Sequence, residues 1–571
     1  MPMPPLHLIL LALLLCTLLS AWCLNADPET AETAEAPGSS DWWQHAVFYQ
    51  ICPRSFQDSN GDGDGDLNGI TSRLGYLKDL GVDAIWLSPC FPSPQVDFGY
   101  DVADYRNIDP RFGTLQDFDR MVSEARKLGI RVFLDLVLNH TSEEHPWFKD
   151  SRSSKQSSKR DWYIWEDGKG PGLPPCNWIS EFGGPAWTLD PATGQYYYHY
   201  FYPQQPDLNW RNPAVRKEML DVTRWWYERG VAGFRLDAID MIFEDPDLPD
   251  NPILPGKNAM GDPNMINLYN HKLKDVHGLL QDLRSVADPF GAVLIGETYA
   301  ETSEEQKAYF GNGCNELQMP TGHILAMAKT FSAPEFRQRI DATESMKSWP
   351  VWVFGNHDLA RALTRFGNGR DNDAIAKILA GLVLTLRGTP ILYYGEELGM
   401  ENNDPMRKED VVDPIALIGW PNAKRRDGER TPMQWDPTPG GGFSTGKPWL
   451  PVPPSSATHN VATERADPDS VLNFYRRLLA LRKGNRALRE GGYEDLTPSD
   501  PNLLCYLRAC PHEAILVGLN LSGETRKLSL ALPLMGWPAS RTKVLFSSSH
   551  AAGIPATLAP YGLFIAGLAR D

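Results

Sequence analysis

Gly233-Phe-Arg-Leu-Asp-Ala238 sets a short apolar run against a carboxylate, and Ala292-Val-Leu-Ile-Gly-Glu-Thr298 repeats the arrangement. Each run reads as a buried parallel strand, with Asp237 or Glu297 at its end. Outward from this pair the same rhythm recurs. Val47–Ile51, Val82–Leu87, Ile130–Leu138, Glu316–Met319, Val351–Phe354 and Ile391–Tyr394 are short apolar runs, set among helix-like stretches such as Ala214–Arg229 and Val471–Arg482. With Gly233–Leu236 and Val293–Ile295 they make eight strands. The predicted fold class is therefore α/β, a (β/α)8 TIM barrel.

The rhythm breaks in three places. Residues 141–205 are rich in Ser, Pro, Gly, Trp and Tyr without a helical period, and read as an insertion after the third strand. Residues 401–467 form a long Pro/Gly-rich loop. After 489 the pattern turns to short strands such as Ala514–Leu519, which predicts a C-terminal all-β domain over 489–571. The barrel is thus split into 41–140 and 206–488.

Composition bounds the function. The chain has 571 residues, 42% of them hydrophobic, and a formal charge of −17. That charge argues against nucleic acid or an anionic membrane surface as partner. It suits a small neutral ligand, and the 18 Trp suit a sugar, although most aromatics pack cores. Leu6–Leu19 is almost wholly apolar and small residues follow, so residues 1–26 are expected to be a signal peptide. The polar stretch 27–40 reads as a disordered linker. Export to the periplasm or beyond is expected, with anchoring by an uncleaved leader as the alternative. Six of the eight cysteines lie beyond the leader, scattered without metal-type spacing.

Two carboxylates at strand ends of one barrel are what glycosidic bond cleavage needs: one attacks the sugar carbon and the other protonates the leaving oxygen. Arg235, two residues before Asp237, would keep that carboxylate ionised as a nucleophile. Apolar neighbours would raise the pKa of Glu297 and suit it to general acid work. A structural Asp–Arg pair and a helix-terminal Glu are the bland readings of the same residues. Gly355-Asn-His-Asp358 and Asn139-His140 follow two further strands, and strand ends of a barrel converge on one face. The loop Asp58-Ser-Asn-Gly-Asp-Gly-Asp-Gly-Asp66 offers oxygen ligands at Asp58, Asn60, Asp62 and Asp66 and a carbonyl near Asp64. Calcium is expected there, with magnesium as the alternative and a solvated acidic turn as the bland reading.

These motifs together resemble the α-amylase superfamily, in its oligo-1,6-glucosidase and α-glucosidase branch. The resemblance runs from Trp42 onward through Asp135-Leu-Val-Leu-Asn-His140, Gln205-Pro-Asp-Leu-Asn-Trp210, Gly233–Asp237, Gly296-Glu-Thr298 and Gly355–Asp358. Asp97-Phe-Gly-Tyr-Asp101 and Glu429-Arg-Thr-Pro-Met-Gln-Trp-Asp436 add to it. It implies Asp237 as nucleophile, Glu297 as general acid/base and Asp358 as a third carboxylate on the sugar. Arg235, His140 and His357 would surround the terminal glucose, with Phe182 lining the pocket. Asp97, Tyr100 and Arg430 would close its far end. Asp135 would partner Arg235. The Asp-rich loop would be the branch's single cation site, with Asp64 acting through its carbonyl. Residues 141–205 would be the B domain and the last part a β-sandwich C domain.

The resemblance further implies an exo-acting, retaining α-glucosidase. Ala238, after the nucleophile, goes in this branch with α-1,4 cleavage, and valine there with α-1,6 cleavage. The segment Glu316–Gly322 onward lacks the Arg-Leu-Asp-Arg-Asp run of sucrose isomerases. Alternatives are an oligo-1,6-glucosidase, or a sucrose-active or transglucosylating relative. A more distant one is a non-catalytic transporter heavy chain, which this intact carboxylate set disfavours. The expected partner is a small oligosaccharide and the expected state a monomer.

Overall fold

A computed structural model describes residues 41–422, 426–530, 532, 536–537, 542–547 and 553–569. The predicted leader and linker lie outside these residues. Eight parallel strands follow one another around a nearly closed barrel: β1 (Phe48–Ile51), β2 (Ala84–Leu87), β3 (Arg131–Val137), β4 (Gly233–Asp237), β5 (Val293–Glu297), β6 (Met319–Thr321), β7 (Val351–Trp352) and β8 (Thr389–Tyr393). Hydrogen-bonded pairing runs from β6 through β5, β4, β3, β2, β1 and β8 to β7. All eight predicted strands are present, with β6 displaced toward the C-terminus and β7 shorter than expected.

Helix ends explain why the strands begin where they do. Asp66 caps the helix Leu67–Leu80 by accepting from the Gly69 N–H, and Gly81 ends it at φ 105°, a left-handed turn that glycine takes without strain. Thr114 and Asp117 form a reciprocal capping box on Leu115–Lys127. Asn212 caps Pro213–Glu228, whose buried face includes Val215, Met219, Val222 and Trp226.

The insertion carries a three-stranded antiparallel sheet of Trp165–Glu166, Gln195–Tyr198 and Trp187–Asp190. It also holds a helix, Pro146–Ser153, where no helical period was read; proline at its start and the His145 ring accepting from Trp147 N–H set it locally. The long loop after β8 is broken by short helical turns, Pro414–Gly419 and Val461–Ala466 among them. A hairpin that the sequence did not signal, Ile253–Lys257 with Pro263–Met265, projects after β4.

At the C-terminus five antiparallel strands form one sheet and Arg526–Lys527 pairs with Thr557–Leu558. Alternation along Leu503–Ala509 divides its faces. Leu504 and Tyr506 join the main core, while Leu503, Cys505 and Leu507 face a separate core with Leu528, Trp537 and Leu558. Among the described residues no cysteine is paired, and no helix is long and apolar enough to cross a membrane.

Candidate active site

Register brings the first cluster together. Asp135 on β3 pairs across from Arg235 on β4, and Ile295 on β5 pairs with Arg235 on its other side. Two residues further along, Asp237 and Glu297 stand on the same faces as Arg235 and Ile295. The result is one guanidinium serving three carboxylates. Arg235 contacts Asp135 Oδ1 at 2.9 Å, Glu297 Oε1 at 2.7 Å, and Asp237 Oδ1. Asp237 and Glu297 are 7% and 5% exposed, so the pair is nearly dry while still bordering the cavity.

This corrects the expectation for Asp237. Burial pushes its carboxyl well above the usual range; Arg235 opposes the shift, and Glu297 and Asp135 add to it. Asp135 is pushed up to about 6 by the same burial. One cation stands against three buried carboxylates, so burial and mutual repulsion both favour the protonated form of Asp237 and Asp135. The surroundings of Glu297 are likewise more polar than expected. Its Oε1 also accepts from the Tyr299 hydroxyl at 2.9 Å, and its Oε2 from the Ala238 N–H at 3.1 Å. Ala238 can offer that N–H because its backbone turns left-handed, at φ 47°.

The other predicted residues gather around this pair. His357 follows β7. Gln50 donates to its Nδ1 at 2.7 Å, which puts the proton on Nε2, facing Asp358 Oδ2 at 3.1 Å and the Tyr100 hydroxyl. Tyr100 donates onward to Asp135 at 3.1 Å. Burial drives His357 well below its ordinary pKa and His140 down to about 3, so both rings are neutral donors or acceptors. Gln205 bridges His140 Nε2 at 3.0 Å and Asp97 Oδ2 at 3.3 Å. Phe182, from the insertion, packs on Tyr202 with ring centroids 4.4 Å apart and borders the same cavity.

Arg430 donates to Asp358 at 2.8 Å and to the His357 carbonyl at 2.7 Å. The guanidinium on Asp97 is that of Arg426, at 2.8 Å; it also meets Asp413 at 2.9 Å and Asp358 at 3.3 Å. Sequence reasoning passed over Arg426 and Asp413, and over Gln205 and Tyr299 as contacts of site residues. Only the position of Arg426 just before the Glu429-Arg-Thr-Pro motif pointed its way.

The cavity these residues share has a volume of about 910 Å³. Across it, the Gly184 N–H of the insertion donates to Asp262 of the hairpin at 2.9 Å.

The Asp-rich loop stands apart. Its all-oxygen donor set suits a hard cation chemically. Yet among the described residues no group of three or more His, Cys, Asp or Glu is placed to hold a metal ion. Asp58 accepts from the N–H groups of Asn60, Gly61 and Gly63 and from Ser444 Oγ. Asp62 accepts from Asp64 N–H and Asn60, and Asp66 from Ser59 and Gly69. The Asp64 side chain turns to Arg54 and Arg111. Contacts within the loop and with Ser444, Arg54 and Arg111 satisfy its carboxylates.

With the geometry in place, the comparisons with known proteins can be set beside it. Residues 50–491 match the family described as Alpha amylase, catalytic domain. The chain belongs to the α-amylase family. Within that family it is 43% identical over 548 residues to a probable alpha-glucosidase of Rhizobium meliloti (strain 1021), covering 93% of this chain and 97% of that one. It is 39% identical over 559 residues to an oligo-1,6-glucosidase of Heyndrickxia coagulans, covering 91% and 98%. Among solved structures, the trehalulose synthase MutB of Pseudomonas mesoacidophila MX-45 superposes with a TM-score of 0.83 at 38% identity, covering 93% and 100%. The chain is an α-amylase-family glycoside hydrolase.

Proposed function

We propose that this enzyme is an exo-acting, retaining α-glucosidase that releases glucose from non-reducing ends of short α-glucosides, chiefly α-1,4-linked ones. The observation that carries the reading is the Arg235 bridge. One guanidinium touching both Asp237 and Glu297 sets the two carboxyls side by side at the cavity, and a double displacement uses such a neighbouring pair, about 5–5.5 Å apart. An inverting enzyme needs a wider gap for water.

The steps follow from the contacts. Asp237 attacks the anomeric carbon as the glycosidic bond breaks, and Glu297 gives its proton to the leaving oxygen. Glu297 then takes a proton from water, and the incoming hydroxide displaces Asp237. Asp358, gripped by Arg426 and Arg430, would hold sugar hydroxyls. The Arg426–Asp97 pair supports a closed pocket, hence attack from chain ends. Ala238 supports the α-1,4 preference.

Glucose release from equal concentrations of maltose, isomaltose and sucrose, with Asp237→Asn alongside, tests this reading. Maltose turnover that vanishes in the variant is expected. Faster turnover of isomaltose or sucrose would keep the mechanism and overturn the linkage preference. A second reading, a sucrose-active or glucosyl-transferring enzyme, is favoured by the likeness to MutB.

The apolar run Leu6–Leu19 supports export, and a monomer is proposed. Calcium, with magnesium as alternative, is proposed for the Asp58–Asp66 loop on its oxygen donors. Binding would have to draw Asp58, Asp62 and Asp66 together, so EDTA should lower Tm and added calcium should restore it.

A further inference from the structure

Each oxygen of Glu297 has a donor other than Arg235, and the two donors come from different strand exits. Oε2 accepts from the Ala238 N–H at 3.1 Å, on the turn that follows β4. Oε1 accepts from the Tyr299 hydroxyl at 2.9 Å, on the segment that follows β5. The strand ladder holds neither segment, because β4 ends at Asp237 and β5 at Glu297.

One side chain joins them. Asp240 stands in the short turn Ile239–Met241, three residues past the nucleophile, and is 1% exposed. Its Oδ2 accepts from the Tyr299 N–H at 2.9 Å. Its Oδ1 accepts from the hydroxyl of Tyr309, the buried residue that closes the helix Ser303–Ala308. Its carbonyl accepts from the Lys272 N–H at 2.6 Å. The carboxyl thus ties the turn carrying Ala238 to the exit carrying Tyr299. Both need the tie. Tyr299 borders the open cavity, with its ring stacked on His323 at 5.8 Å, and where its backbone is fixed decides where its hydroxyl can reach. Ala238 sits at φ 47°, a left-handed conformation that a residue other than glycine keeps only when its surroundings impose it.

We propose that Asp240 is a positioning residue for Glu297: it fixes the two donors, Ala238 N–H and Tyr299 hydroxyl, that aim the acid/base at the glycosidic oxygen. The inference rests on the reading of Glu297 as acid/base above. Asp240 acts through Tyr299 and Ala238. What it governs is the transfer of the Glu297 proton to the leaving oxygen as the bond to the anomeric carbon breaks.

The effect should follow the leaving group. A disaccharide releases a sugar oxygen that needs a proton, whereas α-glucosyl fluoride releases fluoride, a weak base that needs little help. The readout is kcat/KM on the fluoride and on the preferred disaccharide, maltose on the reading above. A change that only loosens the fold or the glucose pocket lowers both. Asp240→Ala should lower the disaccharide value by about 100-fold and the fluoride value by less than about 3-fold. Asp240→Asn keeps an acceptor for the Tyr299 N–H and should restore most of the loss. Tyr299→Phe removes only the hydroxyl at an exposed position. It should cost the disaccharide about 10-fold in the native background and nothing further beside Asp240→Ala. Should the alanine variant not fold, Tyr309→Phe, which frees Asp240 Oδ1, should show the same preference for the disaccharide at smaller size. Glu297→Gln sets the reference. Loss on the disaccharide with the fluoride retained supports the acid/base reading; equal loss on both overturns that reading and this inference with it. Where the reference holds, losses at Asp240 or Tyr299 that fall equally on both substrates, or that add in the double variant, overturn the proposal alone.

Discussion

Arg235 serves Asp135, Asp237 and Glu297, and Arg426 serves Asp97, Asp358 and Asp413. Each is one guanidinium among three carboxylates, yet burial and charge balance differently in the two. In the first set burial wins, and Asp237 and Asp135 are pushed up. In the second, burial also opposes charge on Asp413, but Arg426 and then Arg430 hold its carboxyl below the ordinary range. The difference lies in the count of cations. Arg430 adds a second guanidinium on Asp358, and the Arg426 N–H gives Asp413 a further donor at 2.9 Å. Around Arg235 burial outweighs the one cation at Asp237 and Asp135; beside Arg426 the second guanidinium helps hold Asp413 charged.

The largest effect expected from breaking this contrast is at the nucleophile. Asp237→Asn should lower kcat by about 10⁴-fold or more, measured on α-glucosyl fluoride. Next comes the second cation. Arg426→Leu strips buried Asp97 and Asp413 of this guanidinium and leaves partly exposed Asp358 to Arg430, and should cost about 3–5 kcal/mol in urea unfolding. The KM for maltose should rise by at least about 10-fold through the lost charged hydrogen bonds.

A subtler change sharpens the comparison. Asp135→Asn leaves Arg235 with two carboxylates. The Asp135 charge raises Asp237, so its removal lets Asp237 ionise at lower pH. The acid limb of the kcat/KM profile should move down by about 1 unit. An acid limb that stayed in place would sink the coupling between the two carboxyls.

The smallest effect lies away from the pocket. Burial raises Glu464 to about 8. A carboxyl raised on folding gives stability that is full below its unfolded pKa and lost as pH rises through the folded one. Glu464→Gln keeps the acceptor for the Leu472 N–H and should flatten the decline of folding stability between about pH 4.5 and 8, by at most about 1.4 kcal/mol per pH unit.

The same contrast explains what could be read in advance. The Arg235 cluster stands on neighbouring strands, where period-2 alternation and register translate sequence spacing directly into proximity. Arg235, Asp237 and Glu297 are legible for that reason, and the resemblance adds Asp135. The Arg426 cluster is assembled from a loop after β2, a turn after β7 and a long loop after β8. Proximity there depends on loop paths that no periodicity encodes, so Arg426 and Asp413 escape a reading of the sequence. The hairpin at 253–265 escaped for a related reason: its exposed strands lack an alternating apolar face.

The left-handed backbone at Ala238 bears on which mutational paths are open to this chain. A β-branched residue at φ 47° would add strain of about 1–2 kcal/mol. A substitution there that altered linkage preference would therefore also lower folding stability. It would persist only in a background already holding a margin, so stabilising changes elsewhere would have to come first. New specificity at this position is historically contingent, fixed as much by the order of mutations as by the shape of the sugar.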